Sequence, residues 1–183
     1  MNHLLRLLWL RLTVSRRSRL EVTDVCVTPM RVRLSDLDVL RHMNNGVYLS
    51  LMDLGRVDFM LRSGMAPLIT RAGLYPVVVQ QTITYRKSLE LGQRYDLETR
   101  IAGYDDNTAV MEQRFVVGGE IYARAWVRAR FLRRSGGGVG TDELRELLGV
   151  DGEPAGELPA WFDDWAQGSR LPSAKATAPS TWS

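Results

Sequence analysis

The chain has 183 residues and a formal net charge of +3, a length suited to one domain with a full hydrophobic core. No apolar run approaches the roughly 18 residues of a membrane-spanning helix. The positive charge is concentrated in residues 1–20, which hold five arginines and no acid, while the rest of the chain carries 19 bases against 21 acids. Nucleic-acid binding, which needs its positive charge on the folded face, is therefore not expected.

Residues 2–14 form a leucine-rich, basic arm. Arg6 and Arg11 interrupt it, and no small-residue cleavage pattern follows before the basic cluster, so it does not read as a signal peptide. The two arginines lie about 140° apart on a helical wheel, which leaves the polar face poorly defined. Two readings stay open: a helix lying on an anionic membrane surface, and a helix packed on its own domain or on a partner subunit.

Residues 21–34 are rich in Val and Thr, and apolar and basic residues alternate from Met30 to Leu34, as in a half-buried strand. Pro29 places that strand at an edge, a bulge or a break. Cys26, the lone cysteine, has no internal disulfide partner and reads as a buried, inert thiol. It favours an intracellular, cytoplasmic address, with membrane association through the arm as the alternative.

From Asn45 to about Arg62 the apolar residues recur at steps of three and four. Asn44 or Asn45 is a natural N-cap and Gly64 a natural stop, which predicts a largely buried helix about 27 Å long. Ala66 to Gly73 reads as a linker. Strands follow at Leu74–Lys87, Arg94–Tyr104, Thr108–Val117 and Glu120–Arg133, with a turn at Asp105-Asp106-Asn107 and a hairpin signal at Gly118-Gly119. In the last strand Ile121, Ala123, Ala125, Val127, Ala129 and Phe131 are expected to face one way. Thr141 opens a short capped helix reaching Leu148. The segment 149–183 is a Pro-, Gly- and Ala-rich tail in which Trp161, Phe162 and Trp165 look able to dock and the last ten or so residues read as disordered. The chain thus divides into an arm (1–20), one domain (21–148) and the tail. One long helix followed by four antiparallel strands predicts an α+β fold with the helix against a curled sheet.

The segment Asp36-Leu37-Asp38-Val39-Leu40-Arg41-His42-Met43-Asn44-Asn45-Gly46-Val47-Tyr48 precedes and enters the helix. It resembles the signature of the hot-dog-fold thioesterases related to 4-hydroxybenzoyl-CoA thioesterase. It is also similar to the Asp-Leu-Asp…His-x-Asn-Asn…Tyr pattern of plant acyl-ACP thioesterases and of THEM6-like members of the superfamily. A second match, Ile83-Thr84-Tyr85-Arg86-Lys87-Ser88-Leu89-Glu90-Leu91-Gly92, resembles the family's Tyr-Arg-x-x-Leu-x-x-Gly segment. The resemblance spans about residues 25–133. It implies a hot-dog fold, a long central helix wrapped by a curled antiparallel sheet. It also implies an acyl thioesterase acting on acyl-CoA or acyl-ACP, without cofactor or metal, as a homodimer or tetramer. The hydratases of the same superfamily carry Asp-x-Asn-Pro-x-His. Here four steps separate Asp38 from His42 and Asn-Pro is absent, so that activity is disfavoured.

Thioester hydrolysis needs a carboxylate that activates water or attacks the carbonyl itself, and fixed donors where the oxyanion develops. The resemblance assigns the carboxylate to Asp38; a turn or capping role is the alternative. Donors are expected at the helix N-terminus, from the amides of Asn45, Gly46 and Val47, with Tyr48 beside them as a substrate-binding residue. His42 matches a proposed catalytic histidine of the plant enzymes, but Leu40 stands where their Asn belongs, so His42 is either catalytic or a loop-fixing residue. Asp53 is either a buried base with a raised pKa, facing a neighbouring site, or an exposed helical acid. Arg86 and Lys87 are candidates for the coenzyme A phosphates. Asp36 is expected to be structural, bonding loop amides or Arg41. Met43, Met52, Met60 and Met65 suit either an acyl chain or an ordinary core. A non-catalytic acyl-CoA-binding or regulatory domain is the competing reading.

Overall fold

The computed structural model describes residues 2–105, 107–150, 158–173 and 175–180. Helix α1 (Asn2–Thr13) leads to strand β1 (Cys26–Arg31), and a turn of 3-10 helix (Leu34–Asp36) precedes the long helix α2 (Asn45–Arg62). Next come α3 (Met65–Arg71), strands β2 (Leu74–Tyr85), β3 (Arg94–Asp105), β4 (Thr108–Val117) and β5 (Glu120–Arg133), and helices α4 (Thr141–Leu148) and α5 (Phe162–Gly168). The five strands form one antiparallel sheet in the order β1-β3-β4-β5-β2.

Alternation along the strands sorts the sheet into two faces. Tyr95, Leu97, Thr99 and Ile101 of β3 are buried at every second position, which is the period of a strand covered on one side. Helix α2 lies on that face, burying Tyr48, Leu51, Met52, Leu54 and Phe59. Gly55 is the point of closest approach: a Cβ there would stand 2.7 Å from Leu97 Cδ2 and 2.9 Å from Thr99 Oγ1. Only glycine lets helix and sheet come this close. The arrangement is the α+β hot-dog fold, a long helix wrapped by a curled antiparallel sheet.

Behind the sheet, α5 packs Phe162 and Ala166 against Ala102, Val110 and Trp126. The docking expected of Trp161, Phe162 and Trp165 is therefore made chiefly by Phe162, whose ring lies 5.9 Å from that of Trp126; Trp161 remains partly exposed. Residues 151–157, 174 and 181–183 of the expected tail lie outside the described residues.

Three local expectations are corrected. The stretch read as a linker holds helix α3. Pro67 is tolerated there because it lies in the first turn, where no intrahelical donor is required. The strand expected to run to Leu34 ends at Arg31. The Asp36 carboxylate accepts from Arg33 N at 2.8 Å and winds the chain into a 3-10 turn instead. Finally, Thr141 does not cap α4. The N-cap is Gly140, and the Thr141 hydroxyl donates to the Asp105 carbonyl.

Helix α1 packs by its Arg6, Leu7 and Leu10 side. Further on, Arg17 pairs with Asp58, an acid wholly buried on α2 that also accepts from Thr28 Oγ1 at 2.7 Å. Cys26 is fully buried beside Asp58, and burial pushes its thiol pKa up to about 11.

Candidate active site

The segment 36–44 is a closed loop. Asn44 N donates to Asp36 O at 2.8 Å, Asp38 N to His42 O at 2.9 Å, and Met43 N to Leu89 O at 2.9 Å. Isolated bridges pair Leu37 with Met43 and His42 with Glu90. The second motif is thus laid directly against the first. Arg41 at the tip takes a left-handed backbone, φ 64°, a conformation uncommon outside glycine.

Asp36 is buried and anchors this loop. Its partner is Arg6 of α1, Nη2 to Oδ2 2.6 Å, rather than Arg41 as the sequence suggests. The loop-amide half of that expectation holds, through Arg33 N.

Asp38 is partly exposed. Its Oδ1 accepts from Leu40 N at 2.8 Å and from His42 N at 3.3 Å. That is a turn-forming role, made by one oxygen. The other, Oδ2, has no hydrogen-bond partner among the described residues and can meet a water or a substrate carbonyl. His42 is exposed and meets Asp38 through its backbone alone. Its ring makes no hydrogen bond among the described residues, so no Asp–His side-chain pair exists here.

The helix N-terminus offers fewer free donors than its sequence suggests. Asn44 is the N-cap, and its Oδ1 accepts from Gly46 N at 2.8 Å. Val47 N donates to Asn44 O at 2.9 Å. Gly46 and Val47 are therefore satisfied internally, and Asn45 N is the amide left without an acceptor among the described residues. Tyr48 is corrected from a substrate contact to a core residue. It is buried, its ring meets those of Tyr85 and Phe115 at 5.1 and 4.8 Å, and its hydroxyl accepts from Leu89 N at 3.3 Å. Burial raises its pKa.

Arg86 and Lys87 lie just beyond the end of β2, which stops at Tyr85 rather than at Lys87, and close to the start of α2, since the neighbouring Tyr85 hydroxyl donates to Asn45 O at 3.3 Å. Neither cation is free. Both pair with Glu120, Lys87 Nζ at 2.6 Å from Oε2, and the Lys87 hydrogen bond, with both cations beside it, holds the Glu120 carboxyl below its ordinary range. The cluster retains one net positive charge.

Asp53 is the exposed acid of the two readings, its side chain 69% exposed and paired with Arg56. It stands at a separate cavity of about 270 Å³ between α2 and the sheet, lined mainly by apolar side chains including Phe59, Met60, Met65 and Met111. Met60, Met65 and Met111 thus line a cavity, the last two from within the core, while Met43 and Met52 are core residues outside its lining. Arg56, also in that lining, donates from Nη1 to Gln113 Oε1 at 2.6 Å, and Gln113 Nε2 reaches Thr99 Oγ1 at 2.9 Å. Burial lowers the Arg56 pKa, with Asp53 opposing. Sequence reasoning missed Arg6, Arg56, Asp58 and Gln113. The only signal for them was a charged or amide residue inside an otherwise apolar periodicity.

Comparison with known proteins agrees with this architecture. The profile of the thioesterase-like superfamily matches residues 32–168. Protein THEM6 of Danio rerio is 37% identical over 115 residues, 62% of this chain and 57% of that protein. THEM6 of Xenopus laevis is 41% identical over 81 residues, 44% of this chain and 39% of that protein. The match spans little more than half of the first relative and less than half of the second. Among solved structures, YbaW, a probable thioesterase of Escherichia coli, superposes with a TM-score of 0.64 at 24% identity, covering 67% of this chain and 96% of that one. A gentisyl-coenzyme A thioesterase superposes with a TM-score of 0.58 at 18% identity, covering 66% and 98%. At these identities the structures establish a shared fold. With the profile running from the end of β1 through α5, the chain belongs to the thioesterase-like superfamily.

Proposed function

We propose that this chain is an acyl thioesterase that hydrolyses an acyl-CoA or acyl-ACP thioester at Asp38. The observation that carries the reading is the state of that carboxylate. One oxygen is fixed by two loop amides and the other is unengaged, in a closed loop that leads into the N-terminus of α2. A carboxylate held by one oxygen keeps its orientation while the other reacts. Either Asp38 takes a proton from water, whose oxygen attacks the carbonyl, or Oδ2 attacks and forms an anhydride that water then opens. In both routes the C–S bond breaks and the thiolate leaves, to be protonated by solvent. Asn45 N and the positive end of α2 offer the oxyanion a donor and a favourable potential. The gentisyl-coenzyme A thioesterase, by its name, cleaves a CoA thioester on the same fold, which supports the substrate class. Arg86 and Lys87, next to Tyr85 whose hydroxyl meets Asn45 O, are the cations we assign to a CoA or carrier-protein phosphate.

The assembly we propose is a homodimer, able to pair further into a tetramer, joined through β2. That strand is 12 residues long and lies at a sheet edge, where Tyr75, Val78, Val79 and Tyr85 are exposed. Such an edge pairs readily with a second copy. The cavity beside Asp53 includes Pro76 and Val78 of β2, so the same pairing would enclose it as an acyl channel. A mass measurement at micromolar concentration giving only monomer would remove this assembly.

A second reading, a non-catalytic acyl-CoA-binding domain, is favoured by the unengaged His42 ring and the internally satisfied amides of Gly46 and Val47. Release of free thiol from a panel of acyl-CoAs separates the two. Turnover by the wild type and its loss in Asp38→Asn supports the enzyme. Tight acyl-CoA binding without turnover at any chain length supports the binding domain.

A further inference from the structure

Helix α1 is turned the unusual way round. On a helical wheel Leu4, Leu8, Leu12, Leu5 and Trp9 fall in succession within an arc of about 140°, and this arc faces outward. These five side chains are between 54% and 73% exposed. Arg6, the residue that made the polar face ill-defined in sequence, lies on the opposite side and is buried against Asp36. A helix packed on its own domain is expected to bury its apolar stripe; this one buries Leu10 together with an arginine and still displays five large apolar side chains. Isolated exposed apolar residues need no explanation, but a contiguous face of them does.

The charge carried by α1 and the segment that follows it to residue 20 is of one sign. Arg11 borders the arc about 20° beyond Leu4, and Arg16, in a 3-10 turn directly after α1, and Arg19 follow in the chain. All three are exposed, none has a hydrogen-bond or ion-pair partner among the described residues, and residues 1–20 contain no acid. A second copy of this chain would bring the same three unpaired arginines up to their counterparts about the α1 contact, with like charges repelling; Arg6 and Arg17 are neutralised by Asp36 and Asp58. A surface of phosphate headgroups over acyl chains matches both the apolar arc and the cations at its border. Trp9 suits the same place, its ring apolar and its N–H able to reach the headgroup layer. No described helix is long and apolar enough to cross a membrane, so the contact is along the surface.

We propose that the outward face of α1 is a docking surface for an anionic lipid bilayer, with Leu4, Leu5, Leu8, Trp9 and Leu12 entering the interface and Arg11, Arg16 and Arg19 meeting the phosphates. The inference does not depend on Asp38 being catalytic.

The test is co-sedimentation of the full chain with vesicles of phosphatidylcholine alone or mixed equally with phosphatidylglycerol. Binding is expected to the mixed vesicles, weakly or not at all to the neutral ones, and to fall as salt is raised. Leu5→Glu/Leu8→Glu should lower partition by about tenfold or more. Arg16→Glu/Arg19→Glu should abolish the preference for the anionic vesicles. All four positions are exposed, so the thermal melt of each variant should match the wild type. Wild-type protein remaining in the supernatant with mixed vesicles overturns the proposal. So does undiminished binding of Leu5→Glu/Leu8→Glu. A drop in solution mass on that substitution, without vesicle binding by the wild type, would instead make the face an interface between copies.

Discussion

Arg6 Nη2 lies 2.6 Å from Asp36 Oδ2, with both side chains buried and the two residues 30 positions apart in sequence. Asp36 also accepts from Arg33 N and, through its carbonyl, from Asn44 N. One acid thus holds the start of the 36–44 loop, its end and the arm helix together. The loop bearing Asp38 is therefore supported by an element outside the stretch that matches the superfamily profile.

Arg6→Met leaves Asp36 as a buried, unpaired charge and should destabilise the fold by about 3–5 kcal/mol. The double variant Arg6→Met/Asp36→Leu removes the uncompensated charge and should recover part of that loss. Chemical denaturation of the two variants checks this. Equal or greater loss in the double variant would mean that the carboxylate's bonds to the loop, not the ion pair, dominate.

Asp38→Asn and Asp38→Ala should behave differently. Asn keeps an oxygen for Leu40 N and His42 N, so its melting temperature should stay near that of the wild type while thiol release falls by several orders of magnitude. Ala removes the acceptor and should cost about 1 kcal/mol of stability in addition. Unchanged turnover in Asp38→Asn, measured by thiol release, would sink the catalytic assignment.

Asn44→Ala should cost about 1 kcal/mol through loss of the α2 cap. Gly46→Ala should disturb the same cap from the other side, because its Cβ would stand 3.2 Å from Asn44 Oδ1. Loss of activity in Gly46→Ala with an unchanged melt would place the effect in substrate approach rather than in the cap. Paired melting and activity measurements on the two variants distinguish these.

Burial gives the Cys26 thiol a pKa of about 11 in the folded chain, above the roughly 8.5 of a solvated thiol. Between these values the unfolded chain has released a proton that the folded chain keeps, so stability falls as pH rises through this window and the contribution levels off above about pH 11. Cys26→Ala should flatten that slope below pH 10, before the tyrosines add their own. Denaturation curves at a series of alkaline pH values measure it. The same burial predicts negligible alkylation of the native protein by iodoacetamide at neutral pH.

The cavity beside Asp53 supplies a test of acyl selection. Val57→Phe, in its lining, should reduce turnover of long acyl chains more than of short ones. A uniform fall across a chain-length series would separate this cavity from the acyl group.

The linear chain by itself determined the strand–helix–strand order of the domain, the limits of α2, the four strands after it and the thioesterase-type motif, though not helices α3 and α5. These rest on short-range periodicity, turn residues and caps, which act over a few neighbouring positions. It also marked Asp38 and Asn44 as the residues around which the loop and the helix start are built. What only the tertiary structure decided are the partners. Arg6 faces inward because Asp36, far along the chain, offers it a buried carboxylate, and this turns the leucines of α1 outward. Gly46 N and Val47 N are unavailable because Asn44 satisfies both, and Tyr48 is core because Leu89, Tyr85 and Phe115 converge on it. Arg86 and Lys87 meet Glu120 through the pairing of β2 with β5, and Asp53 is exposed because α2 presents its Arg56, rather than its acid, to Gln113. Each depends on which distant groups close packing brings within hydrogen-bonding distance, and no local pattern along the chain encodes that.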